Sequence, residues 1–200
     1  MPTIYSEPPG VGTYGGTGND TFIGGLGRAI DGGGGIDTVQ YSGPKQAITH
    51  NADGSFTIGT ETLVNVERLQ FSDARIALDL DGNAGITAKI LGVVFGAASV
   101  ANKQYVGIGL SCLDAGWTYE NLMAVALDAA GAKTHAAVVN LLWFNLVGSA
   151  PTAEQAAHYV EMLDKNTYSV GVLGEICAEL DLNKTHINLV GLAQTGLEFL

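Results

Sequence analysis

The sequence predicts an α+β chain: a short N-terminal parallel β-roll with a strand and hairpin cap, followed by an all-α domain. Three observations lead there. Residues 10–43 are dominated by glycine, with short apolar punctuation, and two stretches place Gly, Asp and a large apolar residue in the same register. Residues 44–83 carry strand and turn signals. From about Ala84 onward Ala, Leu and Val recur at helical spacing behind plausible caps, which predicts six or seven short helices. The predicted domains are 1–83 and 84–200.

In the glycine-rich zone, Gly15-Gly16-Thr17-Gly18-Asn19-Asp20-Thr21-Phe22-Ile23 fits the nonapeptide G-G-x-G-x-D-x-U-x, where U is large and apolar. Gly32-Gly33-Gly34-Gly35-Ile36-Asp37-Thr38-Val39-Gln40 fits it again. The stretch between them, Gly24 to Asp31, is one residue short and has Ala29 where the aspartate belongs. Glycine permits positive φ and close approach, so such a backbone can turn its carbonyls towards a cation. Calcium takes six to eight hard oxygen ligands, and aspartates with carbonyls supply them flexibly. Two nonapeptides make one turn of the coil, so Asp20 and Asp37 are expected to face each other across one calcium. A flexible Gly-rich linker would not place these residue types in register twice.

Ala47–His50 and Ser55–Ile58 flank Asn51-Ala52-Asp53-Gly54, a hairpin turn sequence. Thr62–Phe71 reads as a further strand. In the helical zone Thr118, Thr134 and Thr152 are N-cap candidates, Thr152 forming a capping box with Gln155, and Thr185 is expected to open the last helix. Leu113-Asp114 with Trp117-Thr118-Tyr119, and Leu163-Asp164 with Asn166-Thr167-Tyr168, suggest two similar helical repeats of about fifty residues.

The net charge of −11 repels phosphate backbones and argues against nucleic acid as a partner. No apolar run reaches membrane-spanning length, so no insertion is expected. Cys112 and Cys177 are too few for a disulfide framework; they read as small buried hydrophobes, or as one bridge in an oxidising compartment. No H-E-x-x-H or G-x-S-x-G occurs, and His50, His135, His158 and His186 lack metal-ligand spacing. The chain is therefore expected not to be an enzyme. Asp79-Leu80-Asp81-Gly82-Asn83 resembles the opening of an EF-hand loop, but Ile90 stands where the bidentate glutamate belongs. Asp31, Asp79, Asp81 and Asn83 are thus secondary calcium candidates.

Residues 15–40 resemble the repeats of RTX (repeats-in-toxin) calcium-binding proteins, and Asn65–Asp73 resembles the strand segment that commonly follows them. Residues 84–200 are similar to a helical domain of unknown function found beside such repeats in type I-secreted and surface-layer proteins, with Val139–Leu142 and Pro151–Asp164 carrying the likeness. The resemblance implies that carbonyls of Gly15, Thr17, Gly33 and Gly35 join Asp20 and Asp37 around Ca2+. It further implies export by type I secretion on an uncleaved C-terminal signal, in keeping with a start, Met1–Tyr14, that shows no secretory signal peptide. The function expected is a calcium-binding structural protein of the cell surface or matrix, assembling with copies of itself as a layer or fibre. The alternative is an adhesin-like module that recognises a glycan, such as a cell-surface polysaccharide, as a monomer.

Overall fold

The computed structural model describes residues 4–5 and 12–200. It divides the chain into two compact units, one formed by Met1–Ala84 with Val190–Leu200 and the other by Gly85–Leu189. The reading of Met1–Tyr14 as lacking a signal falls mostly outside the described residues.

The first unit holds two mixed sheets. In the first, β1 (Ile4–Tyr5), β3 (Thr21–Ile23), β5 (Thr38–Gln40) and β9 (Arg68–Gln70) run parallel, and β10 (Arg75–Ala77) and β11 (Leu197–Phe199) add antiparallel strands. The second sheet sets β2 (Thr13–Tyr14), β4 (Ala29–Asp31) and β8 (Glu61–Val64) parallel, then adds β7 (Phe56–Ile58) and β6 (Ile48–His50) antiparallel. Strands this short are held by what lies between them. Phe22, Ile30, Val39, Leu63, Leu69 and Ile76 are each at most 1% exposed and form one core.

This overturns the expected architecture of a short β-roll followed by an all-α domain of six or seven helices. Parallel pairing is only part of each sheet, the described residues form eight α-helices, and Leu197–Phe199 after them is a strand. The sequence run Thr62–Phe71, expected as one strand, is two strands in different sheets. Asn65 breaks it by taking a left-handed φ of 50°, a conformation asparagine tolerates better than most residues. The hairpin at 51–54 forms, with Gly54 at φ 87°.

The second unit is built from α1 (Asn83–Phe95), a 3-10 turn (Ala97–Ala101), α2 (Lys103–Asp114), α3 (Tyr119–Ala129), α4 (His135–Val147), α5 (Ala153–Asp164), α6 (Val170–Ala178) and α7 (Asp181–His186). Side-chain caps set the helix starts: Thr118 Oγ1 accepts from Asn121 N–H, Thr134 Oγ1 from Ala137 N–H, and Thr152 with Gln155 closes a reciprocal box. Thr185 opens no helix; it lies inside α7. Met123, Leu127, Leu142 and Leu163 centre the apolar core. α3 and α6 approach closely because Gly174 has no side chain, and a methyl there would lie 2.6 Å from Met123 Cγ. Cys112 and Cys177 are free thiols packed at the edge of this core. Among the described residues no helix is long and apolar enough to cross a membrane.

After α8 (Leu189–Thr195) the chain returns to the first unit, and Leu197 on β11 is 1% exposed. The final strand is therefore part of the sheet core. Leu197→Ala is expected to destabilise the first unit by about 2–5 kcal/mol, the usual cost of truncating a buried leucine. Chemical denaturation should show an earlier loss of the β-sheet signal while the helical signal keeps its midpoint.

Candidate cation site

Parallel pairing decides which side chains meet. Thr21 is in register with Thr38, and Thr38 with Arg68. The residues just before these strands, Asp20, Asp37 and Glu67, therefore become three successive rungs on one edge. The Asp20 N–H donates to Asp37 Oδ1 at 2.7 Å, and the Asp37 N–H donates to Glu67 Oε2 at 2.8 Å. Asp20 is 6% exposed and Asp37 fully buried.

The turns carrying these rungs stack so tightly that only glycine fits. A methyl on Gly32 would sit 1.9 Å from the Asn65 carbonyl oxygen. Gly33 takes φ +89°, and a methyl there would lie 2.2 Å from Gly16 O, the oxygen that accepts the Gly34 N–H at 2.8 Å. Gly15, Thr17, Gly33 and Gly35 all lie in the first two stacked turns, where Thr17, Gly33 and Gly35 are exposed. The sequence spacing thus translates into a shared edge for all six residues of the main candidate set.

One atom on this edge lacks a partner. Asp37 Oδ2 is buried and accepts no hydrogen bond. Its counterpart in the turn above, Asp20 Oδ2, accepts the Gly16 N–H at 2.8 Å. The equivalent amide one turn on, that of Gly33, donates instead to Asp31 Oδ1, which also accepts from Asn65 Nδ2 at 2.8 Å. Asp31 therefore holds the neighbouring turn in place and deprives Asp37 of a donor. A carboxylate oxygen buried without a donor is costly. Burial, together with the charges of Asp20 and Asp31, pushes the Asp37 carboxyl up to about 6, although the Asp20 N–H opposes the shift. Glu67 is also raised to about 6, chiefly by burial and further by the charges of Asp37 and Asp79.

The secondary candidates Asp79, Asp81 and Asn83 lie between β10 and the start of α1. Asp79 pairs with the Arg68 guanidinium, and its Oδ2 accepts from the Ala84 N–H at the start of α1; burial outweighs the arginine and holds its carboxyl above the usual range. Asp81 is exposed.

The opposite edge solves the same problem without a cation. The turn Gly24–Gly27 lacks an aspartate, and Glu61 from β8 takes its place, accepting the Gly25 and Leu26 N–H groups at 2.9 and 2.8 Å. Arg28, 3% exposed, donates through Nη2 to Ile23 O at 2.9 Å and brings a positive charge into that edge. Glu61, Glu67 and Arg28 were not singled out by sequence. Their partners lie up to 36 residues away, a distance no local motif spans.

The Asp20–Asp37 edge suits a hard cation. Its open acceptor is a carboxylate oxygen, beside a Gly32 whose added methyl would lie 2.5 Å from it and 1.9 Å from the Asn65 carbonyl oxygen. Among the described residues no group of three or more His, Cys, Asp or Glu side chains is arranged to hold a metal, so backbone oxygens would have to supply most of the shell. That donor set favours calcium over zinc. His135 pairs at the surface with Asp164, and burial pushes the Cys177 thiol up to about 11, away from the reactive thiolate.

No family model, curated protein or solved structure matches this chain. Its functional reading therefore rests on this geometry.

Both raised carboxyls titrate above their unfolded values. Their contribution to stability is full below about pH 4 and is lost as pH rises through about 6. In chelator, the first unit should unfold at lower denaturant at pH 7.5 than at pH 5. Asp37→Asn should flatten that dependence and raise metal-free stability at pH 7.5, because the amide places a donor where a second oxygen stood. Equilibrium denaturation at the two pH values checks both outcomes.

Proposed function

We propose that the chain is a secreted, non-enzymatic structural protein of the RTX type, whose first unit is completed by extracellular calcium and which then assembles with copies of itself at the bacterial surface or in the matrix. One observation carries the reading: a buried aspartate oxygen without a donor, set between stacked glycine-rich turns beside a second aspartate. Asp20 and Asp37 would hold Ca2+, with carbonyls of Gly15, Thr17, Gly33 and Gly35 completing the shell. The ion would add positive charge beside Asp37, whose Oδ2 has no donor.

The consequence is a folding switch. Inside the cell calcium is scarce, so Asp37 Oδ2 is left without a partner and the unit stays close to unfolding, a state suited to type I export. Outside, a ligand that binds only the folded state at a hundred times its Kd adds about 2.7 kcal/mol of stability. Arg28 and Glu61 keep the other edge independent of the ion, so calcium acts on one edge only.

Self-assembly draws its support from the helical zone and the chain end. Residues 84–200 carry only 15 charged side chains among 117, about half the usual proportion for soluble domains. In the helical unit Phe144 is 55% exposed, and in the first unit Val190 is 80% exposed, each an apolar side chain open to a partner.

Adding millimolar calcium to the chelated protein at pH 7.5 should raise the unfolding midpoint of the first unit and produce large particles in sedimentation and electron microscopy. Asp37→Asn should remove the calcium-induced shift by about tenfold or more in apparent affinity. A midpoint indifferent to calcium would sink the switch. A calcium-stabilised monomer would keep the switch and overturn assembly, turning the reading to surface recognition.

A further inference from the structure

The helical unit contains two apolar clefts made by corresponding helices. The first lies among α1, α2 and α3, with a volume of about 220 Å³; the second lies among α4, α5 and α6, with Leu180 and Leu182 at the start of α7 closing one side, and has a volume of about 250 Å³. Ile90 and Leu91 line the first where Leu142 and Trp143 line the second, each pair 52 positions apart. Val125 and Ile176 face each other across the same comparison, 51 apart, as do Leu122 and Leu173.

A tilted aromatic pair edges each cleft. Phe95 and Tyr105 have ring centroids 5.5 Å apart, and Trp143 and Tyr159 6.2 Å apart. In both cases the first ring comes from the leading helix and the tyrosine from the next. Val125 and Ile176 are 51% and 44% exposed, and Tyr105 and Tyr159 are 43% and 36% exposed. Neither cleft is lined by a charged side chain.

From this recurrence we infer that each cleft binds the alkyl chain of a small, uncharged amphiphile, with its polar end at the tyrosine hydroxyl. Size supports it: an apolar cavity of about 150 Å³ in another protein binds benzene, and these clefts are larger. The lining chemistry supports it too. The walls are apolar apart from the Tyr105 and Thr87 hydroxyls in the first cleft and the Tyr159 hydroxyl, Trp143 indole N–H and Cys177 thiol in the second; such a lining accepts a chain with a hydrogen-bonding end, and with no charged lining residue a buried carboxylate or ammonium would have no partner. The lone thiol in the second cleft, Cys177, is held protonated and does not alter that polarity. The inference is independent of the calcium site.

1-Octanol is the probe. With methyl-labelled protein at constant calcium, titration should shift two separate sets of NMR signals, from Ile90, Ile108 and Val125 and from Leu142, Val147 and Ile176. Both sets should saturate with midpoints on the order of 1 mM. Val125→Trp should remove the first set and leave the second, and Ile176→Trp should do the reverse, so each cleft controls for the folding of the other variant. In the wild-type chain, 8-bromo-1-octanol should quench Trp143 and spare Trp117, which lies outside both clefts. Shifts that never saturate, persist in the filled variants, or arise on concentrating the protein without octanol would overturn the inference. The last of these would show a second copy seated in the clefts.

Discussion

Parallel pairing of β3, β5 and β9 forces Asp20, Asp37 and Glu67 onto one edge at the strand spacing, roughly 4.8 Å. Like charges at that distance repel by on the order of 3 kcal/mol at an effective dielectric of about 20. The fold eases this with backbone amides, one from Asp20 to Asp37 and one from Asp37 to Glu67. The relief is incomplete at Asp37, whose second oxygen is buried without a donor. The glycines, the register of the turns and the raised carboxyl groups all follow from fitting this ladder of acids against the sheet edge.

The two edges of the first unit meet one constraint in different ways. On one edge Glu61 and Arg28 are delivered by the chain itself and bind the turn Gly24–Gly27 permanently. On the other, the acids are stacked, Arg68 stands beside Glu67 and Asp79, and Asp37 Oδ2 is left without a donor. We propose that this edge couples the stability of the unit to the surrounding ions. The strand Leu197–Phe199 pairs antiparallel with Arg75–Ala77, so this sheet is built from segments far apart in the sequence.

Much of the candidate site was legible in the sequence, since the nonapeptide spacing fixes which aspartates share an edge. The helix starts at Thr118, Thr134 and Thr152 were legible for the same reason: capping is local chemistry. What escaped was long-range. Glu67 and Glu61 enter the turns across 30 or more residues, and β11 crosses the whole chain to reach β10. The expected β-roll followed by helices failed because periodicity signals strands but not their partners, and the antiparallel additions to both sheets have no local signature. The split of Thr62–Phe71 turned on one backbone angle at Asn65, where the apolar pattern continues without a break.

Amide hydrogen exchange at the stacked turns tests the central claim most directly. If calcium completes the Asp20–Asp37 edge, the amides of Gly16, Asp20, Gly34 and Asp37 should exchange at least a hundredfold more slowly with millimolar calcium than with chelator at pH 7.5, while those of Gly25 and Leu26 on the opposite edge change far less. Equal exchange in both conditions at the first four amides would contradict it.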